Sequence, residues 1–436
     1  MPSPQPFPVS LGRGADGGGP GLTVRTMRID EDVDLPSHVP ADPSGAWLHH
    51  GQGMLGIGCA VRITARGEDR FRVASRRFAD LAASARIDDE VETRGTGLVA
   101  FGSFSYAAAS ARESMLVVPT AILGRTGGES FLTLISADGP VQEPASWRDL
   151  FPSTPAGSLA EVDVEADQTP DEYQAKVAEV IARIRTGEAE KVVLSATSRV
   201  RSGAGPLPVP AVLARLARTY PSTWVYRVGD VIGASPEMLA QTSGGRVFSR
   251  VLAGSRPVAD GEELPEDDRR LFRRDEKERA EHAFAVESVT DRLGLVAEDI
   301  AFSPEPFVLR LPGIEHLASD VSARLRPGVT SLDVAEVLHP SAAVSGTPRE
   351  RADAIIAELE SADRGAYAAP VGWMDARGDG QWAIALRMAH ILSDHSWRLQ
   401  AGGGLVAASD PVLEHAEALA KTRPILSALR AVTVRR

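Results

Sequence analysis

An α+β fold is predicted for this chain of 436 residues from three observations. Strand-like and helix-like segments are mixed, without the regular alternation that builds a parallel, doubly wound sheet. No segment repeats at a fixed period. Hydrophobic residues make up 43% and charged residues 24%, the balance of a globular protein with a sizeable core.

From about Thr23 to Ile135 the pattern is one of short strands and turns. Gly95–Tyr106 (GTGLVAFGSFSY) and Met115–Arg125 (MLVVPTAILGR) carry apolar runs broken by glycine. Residues 136–168 are rich in Pro, Gly, Ser and acids, lack periodicity, and read as a connector. A helix then starts sharply. Thr169 is an N-cap, Pro170 the first helical residue and Glu172 the capping-box acid, while Tyr173, Val177, Val180, Ile181 and Ile184 recur at helical spacing up to Gly187. KVVLSATSRV (Lys191–Val200) follows as a strand, with Lys191 at its mouth. Next come a helix near Pro210–Tyr220, a strand series to about Gly254, a long charged helix over Glu266–Leu293 and a helix over Arg349–Glu360. Strands VGWMDA and WAIALRMAHIL lead into WRLQAGGGLV and a last helix over Val412–Leu429. The chain thus divides into a mobile, Pro- and Gly-rich tail over residues 1–21, a strand-rich part over 22–165 and a catalytic core over 166–436. The last two are expected to form one integrated unit.

Composition excludes several classes. No window approaches the roughly 20 apolar residues of a membrane-spanning helix, and the first residues lack the basic-then-apolar pattern of a secretory signal. A lone Cys59 can form neither an internal disulfide nor a cysteine metal cage, which suits a reducing compartment. Net charge is -12, with 47 basic residues against 59 dispersed acidic ones, which argues against nucleic-acid binding. A cytoplasmic enzyme acting on a small molecule, without nucleic-acid or membrane partners, is the expectation.

Of the 47 basic residues four are lysines: Lys176, Lys191, Lys277 and Lys421. Codon bias towards Arg explains such a count, and so does a need for an amine, because Lys can lose its proton where Arg cannot. Two helices carry carboxylate pairs at i, i+3, Glu278 with Glu281 and Glu414 with Glu417, which places each pair on one face. Such pairs are either solvated surface or, brought together, an oxygen-lined site suited to Mg²⁺. Lys421 extends the second face. Gly402, Gly403 and Gly404 read as a turn between strand and helix, either plain or open to an anion. LAGSRP (Leu252–Pro257) reads as a second turn. Arg387, within a strand, is a cation for a carboxylate or a structural acid. Glu237, after Pro236 at a strand start, is a surface residue or an enclosed acid.

The ordered segments KVVLS, GASPEML (Gly233–Leu239), LAGSRP, EKERAEH (Glu276–His282), EHLASDV (Glu315–Val321), LHPSAAVSGTPRE (Leu338–Glu350), DRGAYAAPVGWMDARGDGQWAIALR (Asp363–Arg387) and AGGGLVAASDPVLEHAEALAK (Ala401–Lys421) resemble the chorismate-utilising enzymes, and among them most closely the isochorismate synthases. The resemblance implies a large antiparallel-sheet sandwich flanked by helices, as in anthranilate synthase component I. It implies Mg²⁺ as cofactor, held by Glu281 and Glu417 with Glu278 and Glu414 close by or bound through water. Arg387, Tyr367, Lys421 and Gly402–Gly404 match positions holding the enolpyruvyl carboxylate and neighbouring oxygens. Gly254 and Ser255 match the turn contacting the ring, and Ser341 keeps a hydroxyl where a Thr is usual.

For isochorismate synthases the reaction is water attack at ring C2 with loss of the C4 hydroxyl. Lys191 matches the base and Glu237 the acid. The ammonia-using relatives typically carry glutamine at the Lys191 position, so the resemblance implies water as nucleophile without a glutaminase subunit; a monomer is expected. The product would feed menaquinone or siderophore synthesis. Ala196, Asp275, Ala342 and Ala369 depart from the family pattern without removing a proposed acid, base or ligand. Two alternatives stay open: a salicylate synthase, which also eliminates pyruvate, and a non-catalytic homologue that only binds chorismate or metal.

Overall fold

The computed structural model describes residues 21–154, 161–203, 205–258, 265–311 and 314–429, with backbone alone at 255, 257, 277, 311 and 314. The tail expected over residues 1–21 lies outside this range except for Gly21. Among the described residues one sheet has 13 strands and a second has 10. Only Thr23–Ile29 and Arg86–Asp89 pair in parallel there. Both sheets draw strands from before and after residue 166.

The sheets bury their facing sides against each other, as alternating apolar residues require. Trp47, Phe131 and Tyr226 of the larger sheet share a core with Phe101, Leu116 and Trp382 of the smaller one. Trp47 Nε1 donates to Gln381 Oε1 at 2.8 Å across the interface, so the indole keeps a polar partner. Helices flank the outer faces. Among the described residues no helix is long and apolar enough to cross a membrane.

The helix Pro170–Arg185 forms as its sequence dictates: Glu172 Oε2 accepts from the Thr169 amide at 2.7 Å, and Thr169 Oγ1 accepts from the Glu172 amide at 3.3 Å. Its apolar stripe of Tyr173, Val177, Val180, Ile181 and Ile184 is buried against Val192 and Leu194 and against Ala352, Ile355 and Ile356. At roughly 1.5–3 kcal/mol per buried aliphatic side chain, this contact anchors the strand Lys191–Ser202.

Elsewhere the structure departs from the sequence reading. A helix, Arg70–Ser84, stands inside the region read as strands, burying Phe71, Ala74 and Phe78 at helical spacing. The long charged helix is two, Glu266–Arg274 and Glu276–Leu293, because Asp275 turns extended and caps the second by accepting from the Glu278 amide at 3.0 Å. The last helix breaks after Ala420 into Pro411–Ala420 and Arg423–Leu429. The three glycines are not a turn: they lie in the strand Ser396–Leu405, where Gly402, Gly403 and Gly404 pair with Ser195, Leu194 and Val193. LAGSRP continues the strand Arg246–Pro257, with a bulge at Gly254, whose φ of 76° suits a residue lacking Cβ. The stretch read as one strand through Arg387 is two strands in different sheets, Gly380–Ile384 and Met388–Ser393.

Candidate active site

Two chain crossings between the sheets create the centre of the site. Val231–Ser235 belongs to the larger sheet and Met238–Ser243 to the smaller, so residues 236–237 make the crossing. Residues 385–387 cross back beside them. The crossings are bonded to each other: Ile384 donates to the Glu237 carbonyl at 3.0 Å, and Ala234 to the Arg387 carbonyl at 3.2 Å. Ser235 Oγ donates to the Ile384 carbonyl at 2.6 Å. Arg387 makes its turn in the left-handed region, at φ 50°. Glu237 and Arg387 are therefore delivered to one place by two adjacent backbones. Burial pushes the Glu237 carboxyl above the usual range, against the pull of Lys191, Lys421 and Arg387, which all act on it. Burial lowers the Arg387 guanidinium, which Tyr367, Glu417 and Glu237 oppose.

Pairing of strands Lys191–Ser202 and Ser396–Leu405 sets the second wall. A Cβ on Gly404 would stand 2.7 Å from Lys191 Cε, so the missing side chain makes room for the lysine. A Cβ on Gly403 would stand 3.1 Å from Glu414 Oε2 and 3.6 Å from both Glu417 Oε1 and Lys421 Nζ. Lys421 Nζ donates to the Gly402 carbonyl at 2.8 Å and pairs with Glu417 at 2.5 Å. Ser409 Oγ donates to Glu414 Oε1 at 2.7 Å, and burial, then the Glu417 charge, raises the Glu414 carboxyl.

The other carboxylate pair rides on Glu276–Leu293. Glu281 Oε1 lies 3.9 Å from Lys191 Nζ. Glu278 lies under the bulge, where a Cβ on Gly254 would approach its Oε2 to 3.3 Å. Among the described residues no three His, Cys, Asp or Glu side chains converge as a metal cluster. The donor chemistry nonetheless fits Mg²⁺, which usually takes one or two carboxylates and completes its shell with waters and substrate oxygens.

Tyr367 is buried near Arg387, and burial pushes its phenol up to about 12. Ser341 sits in the segment whose Gly346–Thr347 pairs with Lys191–Val192, and its buried Oγ has no hydrogen-bond partner among the described residues. The Ser255 side chain lies outside the described residues. Sequence reasoning misses His316 as a site residue, although the EHLASDV motif contains it. Burial, then Lys191 and Lys421, hold its imidazole down at about 4, so it is neutral near pH 7.

Two largely antiparallel sheets enclosing a carboxylic acid, a ring of cations and carboxylate-bearing helices define a class of enzyme for a small polyanionic substrate. The sequence matches the chorismate binding enzyme family over residues 47–430, and the chain belongs to that family. It is 32% identical over 444 residues to the salicylate biosynthesis isochorismate synthase of Pseudomonas aeruginosa, covering 94% of this chain and 91% of that protein. It is 28% identical over 402 residues to isochorismate synthase MenF of Bacillus subtilis, covering 86% of this chain and 84% of the relative. The fold superposes on the menaquinone-specific isochorismate synthase MenF of Escherichia coli with a TM-score of 0.75 at 23% identity, over 94% of this chain and 95% of that one.

Proposed function

We propose that this chain is an isochorismate synthase, an isomerase that moves a hydroxyl between ring positions of chorismate with Mg²⁺ as cofactor. The observation that carries this reading is the pair of adjacent chain crossings that delivers the buried Glu237 and Arg387 to one place, with Lys191 and Lys421 near enough to act on the Glu237 charge. The cations suit a substrate with two carboxylates, and the raised acid suits proton donation.

Water is a poor nucleophile and hydroxide a poor leaving group, so both need proton transfer. Lys191, the proposed base, takes a proton as water oxygen bonds to C2. Both ring double bonds shift by one position, C1=C2 to C6=C1 and C5=C6 to C4=C5, the C4–O bond breaks, and Glu237 gives its proton to the departing hydroxyl, which leaves as water. Nothing is oxidised or reduced, and substrate and product have the same formula. Arg387 and Tyr367 orient the enolpyruvyl carboxylate, and Lys421, Gly254 and Ser341 line the rest. Glu281 and Glu417 would hold Mg²⁺, with Glu278 and Glu414 in support. When bound, the ion supplies charge neutralisation and orientation for the ring carboxylate. Sheets built from strands of both parts of the chain support one integrated unit. The enzyme acts without a glutaminase subunit, for which Lys191 in place of the glutamine of ammonia-using relatives is the support, and we propose a cytoplasmic monomer.

Incubation of the purified protein with chorismate and Mg²⁺, followed by chromatography, tests the reading. Isochorismate is expected; its absence under conditions where chorismate binds overturns the assignment. Pyruvate in the same mixture would add the lyase step.

A further inference from the structure

Behind the site lies a buried ion pair that the proposed reaction does not use. Arg364 and Glu360 have side chains 3% and 5% exposed, and they meet twice, Nη2 to Oε1 at 2.7 Å and Nε to Oε2 at 2.8 Å. The remaining side-chain hydrogen bonds of this pair all go to segments that carry site residues.

Arg364 Nη2 donates to the Val193 carbonyl at 2.7 Å, two residues from Lys191 on the same strand. Nη1 donates to the Val344 carbonyl at 2.8 Å, on the segment that begins with Ser341. Glu360 Oε1 accepts from both the amide and the hydroxyl of Ser195, each at 2.8 Å. Ser195 Oγ in turn accepts from Gln400 Nε2 at 2.9 Å, two residues before Gly402. The Arg364 guanidinium lies 5.7 Å from the Tyr367 ring centroid and 4.5 Å from that of Tyr106, which comes from the strand-rich part of the chain. The Arg364 carbonyl accepts from the Tyr367 amide at 2.9 Å.

Stability alone does not account for such a pair, since exchanging a buried ion pair for apolar residues is often neutral or stabilising. A planar fork shared among one carboxylate and two carbonyls does, however, fix the mutual distances of its acceptors.

We propose that Glu360 and Arg364, relayed by Ser195, are positioning residues that hold the Lys191 strand, the glycine strand, the Ser341 segment and Tyr367 in reactive register. The inference rests on the isochorismate synthase reading above. Neither residue touches substrate; they act through the residues they hold. Misplacement of a reacting group by about 1 Å costs on the order of 100-fold in rate.

The test compares wild type, Ser195→Ala and Arg364→Lys in the full-length protein, measuring kcat and KM for chorismate together with thermal midpoints. Ser195→Ala removes the hydroxyl's bonds to Glu360 and from Gln400 but keeps the Ser195 amide bond to Glu360 and the ion pair, so it is expected to fold. A fall in kcat of about 10- to 100-fold, with KM within about twofold and a nearly unchanged midpoint, is the expected result. Arg364→Lys keeps the charge but loses the fork, and is expected to lose at least as much kcat. Should it fail to fold, Ser195→Ala decides alone. A Ser195→Ala enzyme with kcat within about twofold of wild type, or one in which only KM changes, overturns the positioning role. A wild-type protein that makes no isochorismate overturns the underlying reading instead, and the inference with it.

Discussion

Lys191 Nζ and Glu281 Oε1 stand 3.9 Å apart, the lysine on a strand of the larger sheet and the glutamate on a helix outside it. With their side chains 28% and 43% exposed, the pair contributes little to stability. Its value is positional: it places the amine beside the carboxylate assigned to the metal.

Lys191→Ala is therefore expected to abolish turnover by about 10²- to 10⁴-fold while the protein stays folded. Lys191→Arg should fare no better, because a guanidinium cannot act as a base. Isochorismate formation and the circular dichroism spectrum together check this. Near-wild-type rate in either variant contradicts the role of Lys191.

Glu237→Gln should likewise remove activity, and it carries a pH signature. Burial holds the wild-type carboxyl above its unfolded value, so the folded state binds the proton more tightly. That stabilisation is full below the unfolded pKa and lost as pH rises through the folded one. The neutral glutamine escapes this loss, so the variant should gain in thermal midpoint over wild type as pH rises above the ordinary carboxyl range. In the wild type, kcat should fall as Glu237 ionises. A midpoint difference that does not grow with pH speaks against a raised carboxyl.

The glycine strand separates structure from chemistry. A Cβ at Gly402 would stand 2.0 Å from the Leu194 carbonyl oxygen, a backbone atom that cannot yield without disturbing the strand pair. Gly402→Ala should cost about 1–3 kcal/mol or more in unfolding free energy. At Gly404 the obstacle is the flexible end of Lys191, 2.7 Å away at Cε. Gly404→Ala should keep its fold and lose activity by displacing the amine. Equal loss of stability in both variants, read by denaturant unfolding, goes against this division.

Chelation of divalent cations is expected to stop turnover, and Mg²⁺ to restore it. Glu281→Gln and Glu417→Gln should each weaken Mg²⁺ binding by about tenfold or more, read by calorimetry without substrate as well as by activity. Unchanged Mg²⁺ affinity in both would remove them from the ligand set.

Ser341 offers a binding test. Its buried hydroxyl has no partner among the described residues, so Ser341→Ala should not lower the melting point. A raised KM for chorismate, by a few-fold for a hydrogen bond of about 1 kcal/mol, is expected. A destabilised variant with unchanged KM would mean that the hydroxyl serves the fold.

The capping box at Thr169 and the stripe ending at Ile184 are legible in the sequence and fold as it implies, since both depend on neighbours within a turn or two. The helix Arg70–Ser84 is harder to see, although Phe71, Ala74 and Phe78 have its spacing, because short strands on either side dominate the pattern. Asp275 stands out as a departure from the family pattern but not as a break, and it both ends one helix and caps the next. The glycines resemble a turn, since nothing local reveals that their partner strand begins about 200 residues earlier, at Lys191. His316 lies inside a recognisable motif, yet its depressed pKa comes from burial first and then from Lys191 and Lys421, all set by segments distant in sequence.

By itself the sequence determined the inventory: which acids, amines and glycines exist, their order, and the local elements that capping and periodicity impose. Tertiary structure alone decided that residues 236–237 and 385–387 cross between sheets side by side, and that Gly404 faces Lys191. The reason lies in the range of the forces. Capping and helical periodicity act over a few residues, whereas strand register and sheet crossings are set by burying two large apolar faces against each other, to which every part of the chain contributes.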